Sequence, residues 1–324
     1  MAKILVAFDT VNEGFDELKQ KHEVTFPPKG RDFTHEEILD LIPDYDVLCP
    51  VFDIPVDRGI IEQGKNLRLI ANYAVGYNNI DLIAAAQHNI VVCNTPHSVV
   101  EPTADLALAL LLGCTRRLCE WDSNFRKHKN DIERGRLVRL GVNLYGKTLG
   151  ILGYGNIGAA VARRCKAFGM KVLYNKRHRL DPTDESRLGI EYIDKDELIR
   201  RSDVISLHTP YSKETHHYIG AKEFGNMKPT AILINTSRGA VVDEAALVEA
   251  LSSGKIAAAG LDVFEHNDQP TEQLFEMDNV CMTPHIGTQT YDSRVEMAVE
   301  LCNNVLGFLD GDRPYSKVPM PNIK

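Results

Sequence analysis

Apolar residues in this chain gather in short runs, and between the runs they recur every three or four positions. Runs of the first kind suit buried strands, and the wider period suits one-sided helices. The N-terminal part alternates the two. The pattern predicts strands at Lys3 to Phe8, His22 to Phe26, Val47 to Val51, Leu69 to Ala71 and Val91 to Cys93. It predicts helices at Glu13 to Lys21, His35 to Leu41 and Asp57 to Gly64. Such alternation implies a parallel sheet with crossover helices. From Val99 to Lys127 a long periodic segment reads as a helix pair, with Pro102 suited to a first turn. Later strands are expected at Thr148 to Leu152, Lys171 to Tyr174, Val204 to Leu207, Ala231 to Asn235 and Ala258 to Leu261, and a last helix at Asp292 to Leu309. Met and Leu periodicity within Val295 to Leu309 is ordinary core spacing.

The run Thr148 to Leu152 empties into Gly153-Tyr154-Gly155-Asn156-Ile157-Gly158, and a helical pattern through Ala159, Ala160, Val161, Ala162 and Cys165 follows. Strand, glycine-rich turn and helix in that order make a dinucleotide fingerprint. Its glycines serve the tight turn, the close approach of pyrophosphate, and the packing of helix on strand. Unpaired N–H groups at the helix start then receive the anion.

At 324 residues the chain has room for two domains, and 44% hydrophobic with 25% charged residues describes a globular protein. A net charge of −8 argues against nucleic acid and anionic membrane surfaces as partners. The longest apolar run, Leu106 to Leu112, is too short for a bilayer, and the N-terminus reads as a strand, without a signal peptide's n-region. Seven scattered cysteines with no CxxC pair imply a reduced, cytoplasmic setting without disulfides or zinc. His216-His217 reads as a solvated loop start, because no third ligand of suitable spacing is visible; no metal site is expected.

Four more segments carry chemistry-bearing residues. NYAVGYNNID (Asn72 to Asp81) is a turn able to aim backbone N–H groups at an anion. INTSRGAVVDEAAL (Ile234 to Leu247) puts Arg238 just past a strand end, and GLDVFEHND (Gly260 to Asp268) follows one strand later. TPHIGTQT (Thr283 to Thr290) presents His285 behind a proline. Open α/β sheets bind ligands at such strand ends. With the glycine loop, these five motifs resemble the D-isomer-specific 2-hydroxyacid dehydrogenases over nearly the whole chain, most closely the glyoxylate/hydroxypyruvate reductase and short D-lactate dehydrogenase types.

The resemblance implies two doubly wound α/β domains, Rossmann-like and flavodoxin-like, with a cofactor cleft between them. Residues 1–98 plus 289–324 would form the substrate domain and 99–288 the dinucleotide domain, hinged near 98 and 288. It implies NAD(P)H-dependent reduction of a small 2-keto acid (pyruvate, glyoxylate, hydroxypyruvate or phenylpyruvate) to the D-2-hydroxy acid. Arg238 would grip carboxylate and carbonyl oxygen, and His285 would act as general acid. Tyr73, Ala74, Val75 and Gly76 would complete the carboxylate site, with Phe52 and Tyr291 lining the pocket. Thr103, His208, Thr209, Pro210, Thr215, Thr236, Ser237, Asp262 and Gly287 join the glycine loop as cofactor contacts. A homodimer through the helices around Val99 to Arg117 is also implied.

Two positions depart from the family pattern. Asn267 stands where most relatives carry the glutamate that pairs with the histidine, with Asp268 as a substitute and Glu265 as structural support. An amide holds an imidazole but adds no negative charge. Formate dehydrogenases of the superfamily share an amide partner, which leaves formate-like oxidation as one alternative. A corepressor-like nucleotide-sensing protein is another. After the second strand of the dinucleotide unit, Lys176 stands at the usual acid's place, or Asn175 if the alignment slips by one, and Arg177 and Arg179 could grip a 2′-phosphate. That favours NADPH, with NADH also accepted.

Overall fold

The computed structural model describes the chain apart from residues 134, 267–268, 312–314 and 322–324. It divides into two compact units, Met1–Val99 with Thr288–Lys324, and Val100–Gly287.

The first unit is built on a five-stranded parallel sheet: β1 (Lys3–Val6), β2 (Glu23–Thr25), β3 (Val47–Cys49), β4 (Leu69–Ala71) and β5 (Val91–Cys93), ordered β2-β1-β3-β4-β5. That is the flavodoxin-like doubly wound order. β3 and β4 are buried at every position, so both faces are covered, as parallel sheets require. The predicted helix over 13–21 begins only at Asp16. Gly14 there takes φ +92°, and a Cβ on it would lie 2.9 Å from the Cβ of Ala298, so the chain turns tightly against the helix Tyr291–Asp310 before its own helix starts.

The second unit carries seven parallel strands: β6 (Thr148–Leu152), β7 (Lys171–Asn175), β8 (Glu191–Tyr192), β9 (Val204–Leu207), β10 (Ile232–Asn235), β11 (Ala258–Leu261) and β12 (Val280–Met282). Their order is β12-β11-β10-β9-β6-β7-β8. The chain moves outward from β6 through β7 and β8, then returns to start β9 on the other side. The β6/β9 boundary is therefore the topological switch point where dinucleotides bind in Rossmann sheets. The helix pair resolves as Val100–Thr115 and Leu118–His128, separated at Arg117, whose φ is +52°. Gly260 lets the first of these approach the sheet, since a Cβ there would meet Leu110 at 3.0 Å. Among the described residues, no helix is long and apolar enough to cross a membrane.

Candidate active site

The loop after β6 shows what each glycine does. Gly153 has φ +95°, and a Cβ on it would lie 2.6 Å from the carbonyl carbon of His208 and the nitrogen of Thr209. The first turn thus presses on the segment leaving β9, across the switch point. At Gly158 a Cβ would meet the Gly153 carbonyl oxygen at 2.5 Å, so helix packs on strand at that residue. Gly155 is different: a Cβ there meets nothing within 4 Å. Its openness leaves room for a ligand against the backbone of the helix Asn156–Ala167, whose start no side chain caps.

The rim of this loop is buried and underused. Among the described residues, Thr209 Oγ1, Thr236 Oγ1 and His208 Nδ1 are buried without a hydrogen-bond partner. Orphaned buried polar atoms at the carboxyl ends of neighbouring strands fit a polar ligand, and a dinucleotide supplies such groups. Burial holds the His208 imidazole down at about 4, and its Nε2 lies 2.8 Å from Ser206 Oγ, so the ring is neutral near pH 7. Other expected contacts serve the protein itself. The Tyr154 ring is core, packed 4.8 Å from Tyr174, which leaves only its backbone for a ligand. Thr215 Oγ1 donates to Pro210 O at 2.8 Å and Ser237 Oγ to Asn235 Oδ1 at 2.8 Å. Thr103 is buried against Gly287, its Oγ1 3.5 Å from where a Cβ would stand.

Beyond β7 the predicted basic loop divides in two. Asn175 donates through Nδ2 to Ile193 O at 2.8 Å, Lys176 is half-buried and Arg177 is exposed. Arg179 is not available in the way expected, because it clasps Glu185 through Nε and Nη2 at 2.8 and 2.7 Å and lies over Tyr192.

Three consecutive strands end in the chemically richest loops. Arg238 follows β10, Asp262 follows β11, and His285 follows β12. β10 and β12 stand two strand spacings apart, about 10 Å. Asn235 shapes the first loop: its Oδ1 accepts from Ser237 N, and its Nδ2 donates to Arg238 O at 3.0 Å. The next residue must be glycine, since a Cβ on Gly239 would fall 1.9 Å from the Phe264 carbonyl. Asp262, 2% exposed, organises the third loop. Its carboxylate accepts from Thr283 Oγ1 at 2.7 Å, Ile286 N at 2.8 Å and Gly287 N at 3.0 Å. Burial raises its carboxyl above the usual range, against the pull of those donors and of His285. His285 itself is half-buried and takes φ +55°, a strained value for a non-glycine residue.

In the first unit, the 72–79 turn is clamped by side chains that the sequence pattern did not single out. Asn72 Nδ2 donates to Gly76 O at 2.7 Å, and Asn79 Nδ2 donates to Val51 O and Ile54 O. The carbonyls of Ala74 and Val75 also accept, from Thr95 N and Asn94 Nδ2. The backbone N–H groups of Val75 and Gly76 find no acceptor among the described residues. The Tyr73 ring is 1% exposed and its hydroxyl donates to Arg294 O at 2.5 Å, so its side chain belongs to the core. Phe52 is half-buried against that core. Tyr291 is exposed, with its hydroxyl donating to Glu13 at 2.7 Å. Asn267 and Asp268 lie outside the described residues. The expectation that His216-His217 has no third partner is also corrected, because Glu265 Oε1 lies 2.5 Å from His217 Nε2.

A Rossmann-ordered sheet with an open glycine turn, orphaned polar atoms at its switch point, and Arg, Asp and His at successive strand ends defines a nicotinamide-dependent oxidoreductase. Residues 108–287 match the family model of the D-isomer specific 2-hydroxyacid dehydrogenase NAD binding domain. A glyoxylate reductase of Thermococcus litoralis is 45% identical over 309 residues, covering 94% of this chain and 91% of the relative. Among solved structures, a glyoxylate reductase from Paecilomyes thermophila matches with a TM-score of 0.87 at 34% identity, covering 98% of each chain. An NADPH-dependent glyoxylate/hydroxypyruvate reductase from Sinorhizobium meliloti, in complex with NADP and malonate, matches at 0.83 with 28% identity, covering 100% of this chain and 99% of that one. The chain belongs to the D-isomer-specific 2-hydroxyacid dehydrogenase family.

Proposed function

We propose that this enzyme reduces small 2-keto acids of the glyoxylate, hydroxypyruvate, pyruvate or phenylpyruvate class to D-2-hydroxy acids. The carrying observation is the pair Arg238 and His285 at the carboxyl ends of strands flanking β11. A 2-keto acid offers a carboxylate beside a ketone. Arg238's planar fork binds the carboxylate and polarises the carbonyl oxygen. His285 donates its proton to the carbonyl oxygen as the ketone becomes an alcohol. The nicotinamide, when bound, supplies the hydride to the keto carbon.

The residues that would hold the cofactor are Gly153 to Gly158 at the phosphates, with His208, Thr209 and Thr236 along the rim. No carboxylate occupies 175–179, which supports NADPH use with NADH also accepted. Asn267 would hold the imidazole of His285 without adding charge, so Asn267→Glu moves the acid limb of the pH–rate profile upward. A homodimer through the helices around Val99 to Arg117 belongs to the same reading, with exposed Leu118 at the end of that stretch in its support. An absorbance assay of NADPH and NADH oxidation with the four keto acids tests the activity. Arg238→Ala and His285→Gln should each lower kcat/KM by roughly 10²–10⁴-fold. No turnover of any of the four, or unchanged rates in both variants, overturns the reading.

A further inference from the structure

Beside the loop that follows Arg238, two histidines and a glutamate converge. We propose that His216, His217 and Glu265 form a binding site for a borderline divalent transition-metal cation such as Zn²⁺. One ligand atom from each lies within 4.8 Å of the other two. Around a tetrahedral zinc, donor atoms stand about 3.3–3.5 Å apart, given bond lengths of about 2.0–2.2 Å. The His217–Glu265 contact at 2.5 Å therefore opens by just under an ångström on binding, while the wider contacts close.

The backbone holds these donors together. His217 takes φ +49°, a left-handed conformation uncommon for a side-chain-bearing residue, and its ring stacks on that of His216 with centroids 4.0 Å apart. Consecutive side chains that would otherwise splay are thus brought to one side. His217 N donates to Ala240 O at 2.9 Å, fixing the pair against the loop after Arg238.

A second layer of groups orients the donors. Glu265 Oε2 accepts from Glu244 N at 3.1 Å, leaving Oε1 directed at His217. Asp243 Oδ2 lies 3.9 Å from His217 Nδ1, while Asp243 Oδ1 accepts from Ala246 N. A carboxylate behind the far ring nitrogen of a ligating histidine is the usual outer support of a metal-bound imidazole. Two imidazoles and one carboxylate select zinc, nickel or copper over magnesium and calcium. Both histidines are exposed, so a fourth position is open to water.

Such a cation ties two segments, the 215–219 loop and Phe264–Glu265, and both press on the loop after Arg238, the first through His217 N on Ala240 O and the second on Gly239. Its role is to stiffen the support of Arg238, and metal binding should stabilise the folded chain.

Calorimetric titration of the EDTA-stripped full chain with ZnCl₂, with MgCl₂ as control, tests the site. The expected result is one saturable zinc per chain, no magnesium binding, and a rise in Tm with zinc. His216→Ala, which removes an exposed side chain, should weaken zinc tenfold or more without changing the metal-free Tm, and Glu265→Gln should weaken it similarly. Absence of saturable zinc binding, or binding that survives both substitutions or is lost instead in Cys119→Ser, overturns the proposal.

Discussion

The main-chain N–H of His285 donates to the carbonyl oxygen of Asp262 at 3.0 Å, so the residue after β11 holds the loop after β12 through backbone as well as side chain. With the Asp262 carboxylate gripping Ile286 N and Gly287 N, the left-handed turn at His285 is enforced from one buried group.

Asp262→Asn tests that enforcement. The amide keeps one acceptor oxygen and replaces the other with a donor, so either the Gly287 N–H or the Ile286–Thr283 pair loses its acceptor. A buried group left unsatisfied costs about 1–3 kcal/mol. Both Tm and kcat should fall, the second because His285 loses its fixed orientation. Thermal unfolding together with steady-state kinetics checks this, and full activity in a fully stable variant would show that His285 is positioned by other means.

Two alanine substitutions in the glycine loop should separate folding from cofactor binding. Gly153→Ala places a methyl 2.6 Å from the His208–Thr209 backbone at φ +95°, and should destabilise the fold by about 1–3 kcal/mol or more. Gly155→Ala meets nothing in the protein. Its Tm should hold while the cofactor KM rises. Equal effects on Tm would mean that the second glycine is conformational and not a place of approach.

These contrasts mark where sequence reading stops. β6, β9 and β11 match their predicted runs residue for residue, since each ends at a glycine or polar residue and all but the first residue of β6 is buried. β8 escapes notice because its two residues, Glu191 and Tyr192, carry no period, and β12, an apolar triplet like β4 and β5, also falls outside the predicted strands. The glycine loop, Arg238 and His285 are legible because chemistry and turn geometry restrict residue type there. Asn72, Asn79 and Asn235 are not, since an asparagine that clamps a loop looks in sequence like one that merely turns it. The Glu265–His217 contact joins residues 48 positions apart, and only the folded sheet brings them together.

For the cofactor loop, Arg177 and Arg179 should behave differently. Arg177 is exposed, whereas both nitrogens of Arg179 that face Glu185 are engaged. Arg177→Ala should raise the KM for NADPH about tenfold or more and leave that for NADH nearly unchanged, the loss expected for a charge-assisted contact to phosphate. Arg179→Ala should lower Tm with little change in cofactor ratio. Measuring kcat/KM for both cofactors in both variants decides it, and a selectivity change confined to Arg179→Ala would reverse the assignment.

The same ion pair gives a pH signature. Arg179, and after it the Tyr174 hydroxyl, hold the Glu185 carboxyl down at about 2, well below its ordinary value of 4.5. A carboxyl depressed in the folded state contributes stability that is fully present above its unfolded pKa. That contribution disappears as pH falls from about 4.5 toward about 2, because protonation removes the charge that Arg179 holds. Glu185→Gln lacks the charge at every pH. Its Tm should therefore lie below the wild-type value at pH 7 and converge on it as the solution is taken from pH 5 to pH 2, as far as the fold survives. Thermal unfolding of both proteins across that range measures the gap; a gap that stays constant would place the stabilising effect of Glu185 in hydrogen bonding that Gln retains or loses irrespective of charge.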